Sequence, residues 1–173
     1  LLGGMAAAHP TWLTNLNLQS ESSNIVLSFG GSTDGTDGYD VGLDSLAPPA
    51  PPSDYYAYFQ ISDPNFTSLS QDIRAWASPY DTNINWTLVV TNANGIQTML
   101  SWNLNELPAE GSFIILIGTD SYDMRTNSSV TFEGNKTLTI QYRLFITQEI
   151  TIQNGKLNLI SFYVTPENLD ASA

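Results

Sequence analysis

Apolar and polar residues alternate along most of this chain with a period of two, the spacing at which successive side chains of a strand point to opposite faces. In the segment TWLTNLNLQ, Trp12, Thr14, Leu16 and Leu18 fall on one face and Asn15, Asn17 and Gln19 on the other. This predicts a strand with one buried side. After the polar break at residues 20–23, NIVLSFG predicts a second strand that ends at Gly30 and Gly31. DYYAYFQI sets Tyr55, Ala57, Phe59 and Ile61 against Tyr56, Tyr58 and Gln60, and SLSQDIRAWAS reads as extended. INWTLVVTN and IQTMLSWNL flank Ala93, Asn94 and Gly95, a hairpin signature. SFIILIG is a short, β-branched apolar run that predicts the most buried strand. Further on, SSVTF, a turn at Gly134 and Asn135, and KTLTIQYRLFIT predict another pair, and EITIQNGKLNLISFYV a last hairpin through Asn154 and Gly155. About nine or ten short strands separated by turns predict an all-β fold, an antiparallel β-sandwich of Ig-like or jelly-roll-like type.

One stretch interrupts the pattern. Between Phe29 and Phe59 an Asp/Gly segment and a Pro-rich segment, APPAPP, suit neither helix nor regular sheet. A loop this long needs anchoring. The expected organisation is an N-terminal extension at 1–23, a β-sandwich domain at 24–165 and a C-terminal tail at 166–173.

Composition narrows the chemistry. A chain of 173 residues suits one domain with a core of its own. There is no Cys, which removes disulfides, thiolate metal sites and Cys nucleophiles, and His9 is the sole histidine, which removes most zinc sites and Ser-His-Asp chemistry. A net charge of −12 repels phosphate backbones and anionic lipid, so nucleic acid is not an expected partner. No apolar run reaches the ~20 residues of a membrane span. Few Lys residues among many Asn, Ser and Thr suggest a secreted, cell-surface protein, and LLGGMAAA before His9 and Pro10 reads as the remainder of a processed precursor. The long apolar helix through which type IV pilins and archaeal flagellins polymerise is not expected here.

Phe29-Gly30, then Thr36-Asp37-Gly38-Tyr39-Asp40 with Asp44, the PPAPP run and Tyr58-Phe59 together resemble a module of secreted, multidomain bacterial and archaeal cell-surface proteins. The resemblance extends to Asp72-Ile73-Arg74, to the WTL and LSW strands and to the terminal LNLISFYV, covering residues 24–164. It implies a β-sandwich spacer in a surface or cell-wall assembly, with no catalytic residues to carry over. The extension before the module, and the lack of a sorting or dockerin domain after it, fit a chain that is itself the repeating subunit.

Among candidate sites, Asp34, Asp37, Asp40 and Asp44 offer hard oxygen ligands suited to calcium, although their spacing is not that of an EF-hand. The alternative is that they cap turns and pair with Arg74 or Arg125. Asp120 with Asp123, or Glu106 with Glu110, could serve glycoside hydrolysis only with a defined separation and a raised pKa. Trp76, Trp86 and Trp102, with Tyr55, Tyr56 and Tyr58, could form a platform for sugar rings or simply core. Sequons at Asn65, Asn85, Asn127 and Asn135 mark candidate glycosylation sites, although about three are expected by chance in such a composition.

The N-terminal strand carries most weight for function. Trp12, Leu13, Thr14, Leu16 and Leu18 could fold back on their own sheet or complete a neighbour's, and head-to-tail donation gives an open fibre. The expected function is therefore a non-enzymatic structural subunit of an extracellular filament, with other copies of itself as partners. The alternative is a carbohydrate-binding or spacer module.

Overall fold

The structure is a computed structural model that describes residues 9–21, 23–52, 55–76 and 83–143. The strands expected beyond Arg143, the Asn154–Gly155 hairpin and the tail lie outside the described residues. The described residues form eleven strands: β1 (Trp12–Gln19), β2 (Asn24–Ser32), β3 (Ser45–Leu46), β4 (Tyr55–Gln60), β5 (Ser68–Ala75), β6 (Ile84–Asn92), β7 (Gln97–Trp102), β8 (Ser112–Ile117), β9 (Asp120–Asp123), β10 (Ser129–Glu133) and β11 (Lys136–Arg143). A single 3-10 turn, Leu104–Glu106, follows β7.

The strands form one sheet in the order β10-β7-β1-β2-β5-β4-β6-β11-β8-β9, with β3 beside β5. Neighbours pair antiparallel except β2 and β5, which are parallel from Ser28↔Gln71 to Ser32↔Ala75. The sheet is therefore mixed rather than purely antiparallel. A parallel neighbour requires a long crossover, and the Asp/Gly loop, β3, the Pro-rich segment and β4 supply it. The hairpins at Gly95 and Gly134 form where expected, each glycine at a positive φ of 66° and 68° respectively.

Two expectations need correcting. The apolar run of β8 is not the sheet's centre. It lies next to the short strand β9, with Phe113, Ile115 and Ile117 buried and Ile114 and Leu116 half-buried. β9 itself lies where the alternation predicts no strand, because four residues bearing two aspartates give no hydrophobic signal. Short, charged strands are how sheet edges avoid unwanted pairing.

The sheet curls until distant strands meet face to face. Trp12 of β1 packs edge-on against Phe113 of β8 at 5.4 Å, and Phe29 of β2 against Trp86 of β6 at 5.1 Å. The two ends of the path, β10 and β9, both border a cavity of about 360 Å³ lined by Ile117, Tyr122, Thr131 and Phe132. The result is an all-β sheet that nearly closes into a barrel around one core. Leu16, Phe29, Phe59, Leu69, Trp86, Leu88, Leu100, Phe113 and Leu138 belong to that core and are inaccessible to solvent.

Truncating Leu88 to Ala is expected to cost about 2–5 kcal/mol, from lost burial plus the cavity left behind. Met99→Ala, at a site 37% exposed, should cost no more than ~0.5 kcal/mol. Urea unfolding of the two variants checks the contrast.

Candidate functional site

β1 lies inside the sheet, laddered on both sides. It pairs with β2 along its whole length, from Trp12↔Gly31 to Gln19↔Asn24, and with β7 from Leu16↔Trp102 to Gln19↔Met99. Thr14, Leu16 and Leu18 are buried, Trp12 and Leu13 half-buried, and Asn15 and Gln19 exposed. The amphipathic face expected from sequence is thus the face that fills the core. The structure places this strand in a slot of its own chain, joined to β2 by a turn in which the Ser20 N–H donates to the Ser23 carbonyl at 2.9 Å.

Where the β7 ladder stops at Trp102, another group takes over. Asn103 caps the 3-10 turn through its Oδ1, and the turn presents Glu106 to β1. Glu106 Oε2 accepts the Asn15 N–H at 2.8 Å, and its main-chain carbonyl accepts the Thr14 hydroxyl at 3.1 Å. At the other end of the slot, Trp12 is ringed by Phe29, Trp76, Trp86 and Phe113 at centroid distances of 5.1–5.8 Å. Gly31 opens this seat, since a Cβ there would lie 2.6 Å from Trp12 Nε1 and 2.7 Å from Trp76 Cβ.

The Asp-rich loop does not gather its carboxylates. Asp34 is exposed, Asp37 pairs with Arg74 at 3.3 Å, and Asp40 accepts the N–H and hydroxyl of Thr36. Asp44 accepts the N–H groups of Asp40 at 2.8 Å and Ile73 at 2.7 Å. Among the described residues no three His, Asp or Glu side chains are placed to hold a metal ion. The expected calcium ligand set is therefore not assembled. The loop is clasped to β5 instead, which anchors a segment with no ladder of its own.

The centre of that clasp is a pair that sequence reasoning did not select as a site. Asp72 is buried and takes both hydrogens offered by Arg74, Nε at 2.8 Å and Nη2 at 2.9 Å. The signal was available in the i, i+2 spacing of Asp72-Ile73-Arg74, which puts both side chains on one face of a strand. Burial pushes the Asp72 carboxyl up to about 6, with Asp44 and Asp37 adding repulsion and Arg74 only partly offsetting it. Burial raises Asp44 as well, whereas half-buried Asp63 is lowered by the N–H groups of Asn65 and Phe66.

The other candidates disperse. Asp120 and Asp123 sit exposed on β9, while Glu106 belongs to the β1 slot and Glu110 lies on the surface. Trp86 is in the core and Trp102 donates Nε1–H to the Met124 carbonyl, while Trp76 packs on Tyr142 at 4.6 Å, so the three do not form an exposed platform. Tyr55 faces inward. Tyr56 and Tyr58 face outward with rings 5.5 Å apart, beside a groove of about 510 Å³ lined by Ile25, Val26 and Pro48. Arg125 does not reach the Asp loop but donates to the carbonyls of Pro108, Glu110 and Gly111.

All four sequon asparagines, Asn65, Asn85, Asn127 and Asn135, are exposed. The amide nitrogen of Asn127 is engaged with the Asp123 carbonyl at 2.9 Å, and Asn135 Oδ1 accepts the Asn92 N–H. Among the described residues no helix is long and apolar enough to cross a membrane. No family model matches the chain, and neither a curated protein nor a solved structure matches it.

The Asp72 environment gives a pH signature of definite sign. A carboxyl held near 6 in the folded chain and at its ordinary value near 3.8 when unfolded binds its proton more tightly in the native state between those values. Its contribution to stability is present at low pH and lost as pH rises from about 4 to about 6. Asp63, shifted the other way, acts below this window. The urea midpoint of the wild type should fall between pH 4 and 6 relative to that of Asp72→Asn, and parallel midpoints for the two proteins would contradict the assignment.

Proposed function

We propose that the protein is a non-enzymatic structural subunit of a secreted, extracellular surface filament, assembled when the β2–β7 slot of one copy receives β1 from the next. The observation that carries this reading is the place of β1. The first of the described strands occupies the interior of the sheet, yet in sequence only the short polar segment 20–23 separates it from β2. If that turn opens, β1 moves as a unit, and both ladders and the burial of Leu16 and Leu18 can be reproduced identically between chains. Exchange therefore costs few contacts, and repeated head to tail it is a heterologous contact that yields an open fibre. The curled sheet is then a variant of the Ig-like or jelly-roll-like sandwich of secreted surface modules. The four exposed sequons and the weakly charged polar surface are consistent with a glycan-bearing exterior.

A second reading, a carbohydrate-binding or spacer module, draws on the outward Tyr56–Tyr58 pair beside the apolar groove. It predicts saturable glycan binding by a single subunit that is lost in Tyr56→Ala.

Because the chain contains no cysteine, a designed disulfide reports strand origin without background. Asn17 and Ser101 face each other across β1 and β7. Oxidised N17C/S101C protein is expected to run as a ladder of covalently linked chains on a denaturing gel. An exclusively intrachain bond contradicts donation, and a bond that stops at two chains contradicts the filament.

A further inference from the structure

The segment TNLNLQ repeats in steps of two, so sliding it by two residues sets Asn17 where Asn15 was and Leu18 where Leu16 was. Alternation alone leaves such a strand poorly registered. A slot that receives this strand from another molecule must read something else. Resting on the assembly reading, we propose that the slot selects its strand and register at two positions N-terminal to the leucines, an indole in the aromatic seat and a hydroxyl at the Glu106 carbonyl, while the Glu106 carboxylate holds the backbone N–H and side-chain amide that stand opposite it.

The indole and hydroxyl positions discriminate by distinct physical means. The seat between Phe29, Trp76, Trp86 and Phe113 matches an indole presented edge to face, with Gly31 as its floor. A smaller side chain leaves four rings without their common partner, and packed cavities of this kind are where interface energy concentrates. Thr14 is inaccessible to solvent and its hydroxyl meets the Glu106 carbonyl. After a two-residue slide Leu16 would stand there, with no hydrogen to give. Glu106 Oε2 takes the Asn15 N–H at 2.8 Å and its Nδ2 at 3.3 Å, while Asn103 Nδ2 holds the other carboxylate oxygen at 3.4 Å. The carboxylate is thus held from its own turn as well as by the strand, and bonds to an ionised acceptor are the stronger kind.

The chain carries its own decoy. Residues 157–161, Leu-Asn-Leu-Ile-Ser, repeat the Leu-Asn-Leu-Gln-Ser of residues 16–20. In that alignment Gln153, Gly155 and Lys156 stand at the places of Trp12, Thr14 and Asn15. A slot reading only the leucines would take either segment. One that also reads the indole and hydroxyl positions takes β1 alone, which keeps assembly to a single donor.

The test uses the intact wild-type protein and varies only synthetic peptides, so no variant has to fold. Protein is partly unfolded and refolded with an excess of fluorescent peptide 9–21, and incorporation is measured by gel filtration. The wild-type peptide is expected to enter the slot. Peptides carrying Trp12→Ala or Thr14→Val, and a peptide of residues 153–161, are expected to incorporate about tenfold less or worse, the scale of losing one buried anchor or leaving one buried acceptor unpaired. Equal incorporation of all four overturns the proposal, because the leucine pattern would then suffice. Failure of every peptide to enter overturns it too, while the N17C–S101C bond still judges the assembly reading separately.

Discussion

A strand inside a sheet has to satisfy hydrogen bonds along both edges and bury a face, and β1, the first of the described strands, is under that obligation. β1 joins β2 to β7, and without it β7 and β10 would part from the rest of the sheet. Its side chains also link the curled halves. Trp12 touches rings of β2, β6 and β8, strands spread along most of the sheet path. Hydrogen bonding and core packing thus depend on the same eight residues, which is why the origin of this strand, own chain or neighbour, decides what the molecule can build.

The rest of the architecture serves to hold that slot open to one shape. The parallel pairing of β2 with β5 fixes one wall and requires the long crossover through the Asp/Gly and Pro-rich segments. That crossover has little ladder of its own, so carboxylates tie it down. Asp44 bonds the backbone of β5, Asp37 reaches Arg74, and Asp72 holds Arg74 from beneath. Burying Asp72 is costly, as its raised pKa records, and the guanidinium offsets part of that cost. The other wall ends early at Trp102, and Glu106 extends it with a carboxylate where a strand would have offered a carbonyl.

Much of this was legible from alternation. The inward face of β1, the hairpins at Gly95 and Gly134, and the split of Tyr55 from Tyr56 follow from period two and from turn chemistry. What escaped had physical reasons. The parallel pair is a long-range choice that no local pattern encodes. β9 is an edge strand whose polar side chains resemble a loop. The four loop aspartates looked like one metal site because proximity in sequence says nothing of direction; Asp37, Asp40 and Asp44 each bond a separate donor and Asp34 is exposed. Glu106 was noticed only as half of a carboxylate pair, since its partner Asn15 lies 91 residues away. Trp86 and Trp102 read equally as platform or core, and burial decided for core.

The claim on which the account turns is that β1 belongs to the slot and, in the assembled protein, to the slot of another copy. The most direct measurement is solid-state NMR on assemblies grown from an equal mixture of chains labelled only with nitrogen-15 and chains labelled only with carbon-13. Correlations between the amide nitrogens of Leu16 and Leu18 and the carbons of Leu27 and Leu100 are predicted, because those contacts then join different molecules. Their absence from well-formed assemblies, with the same contacts present in uniformly doubly labelled material, would contradict it.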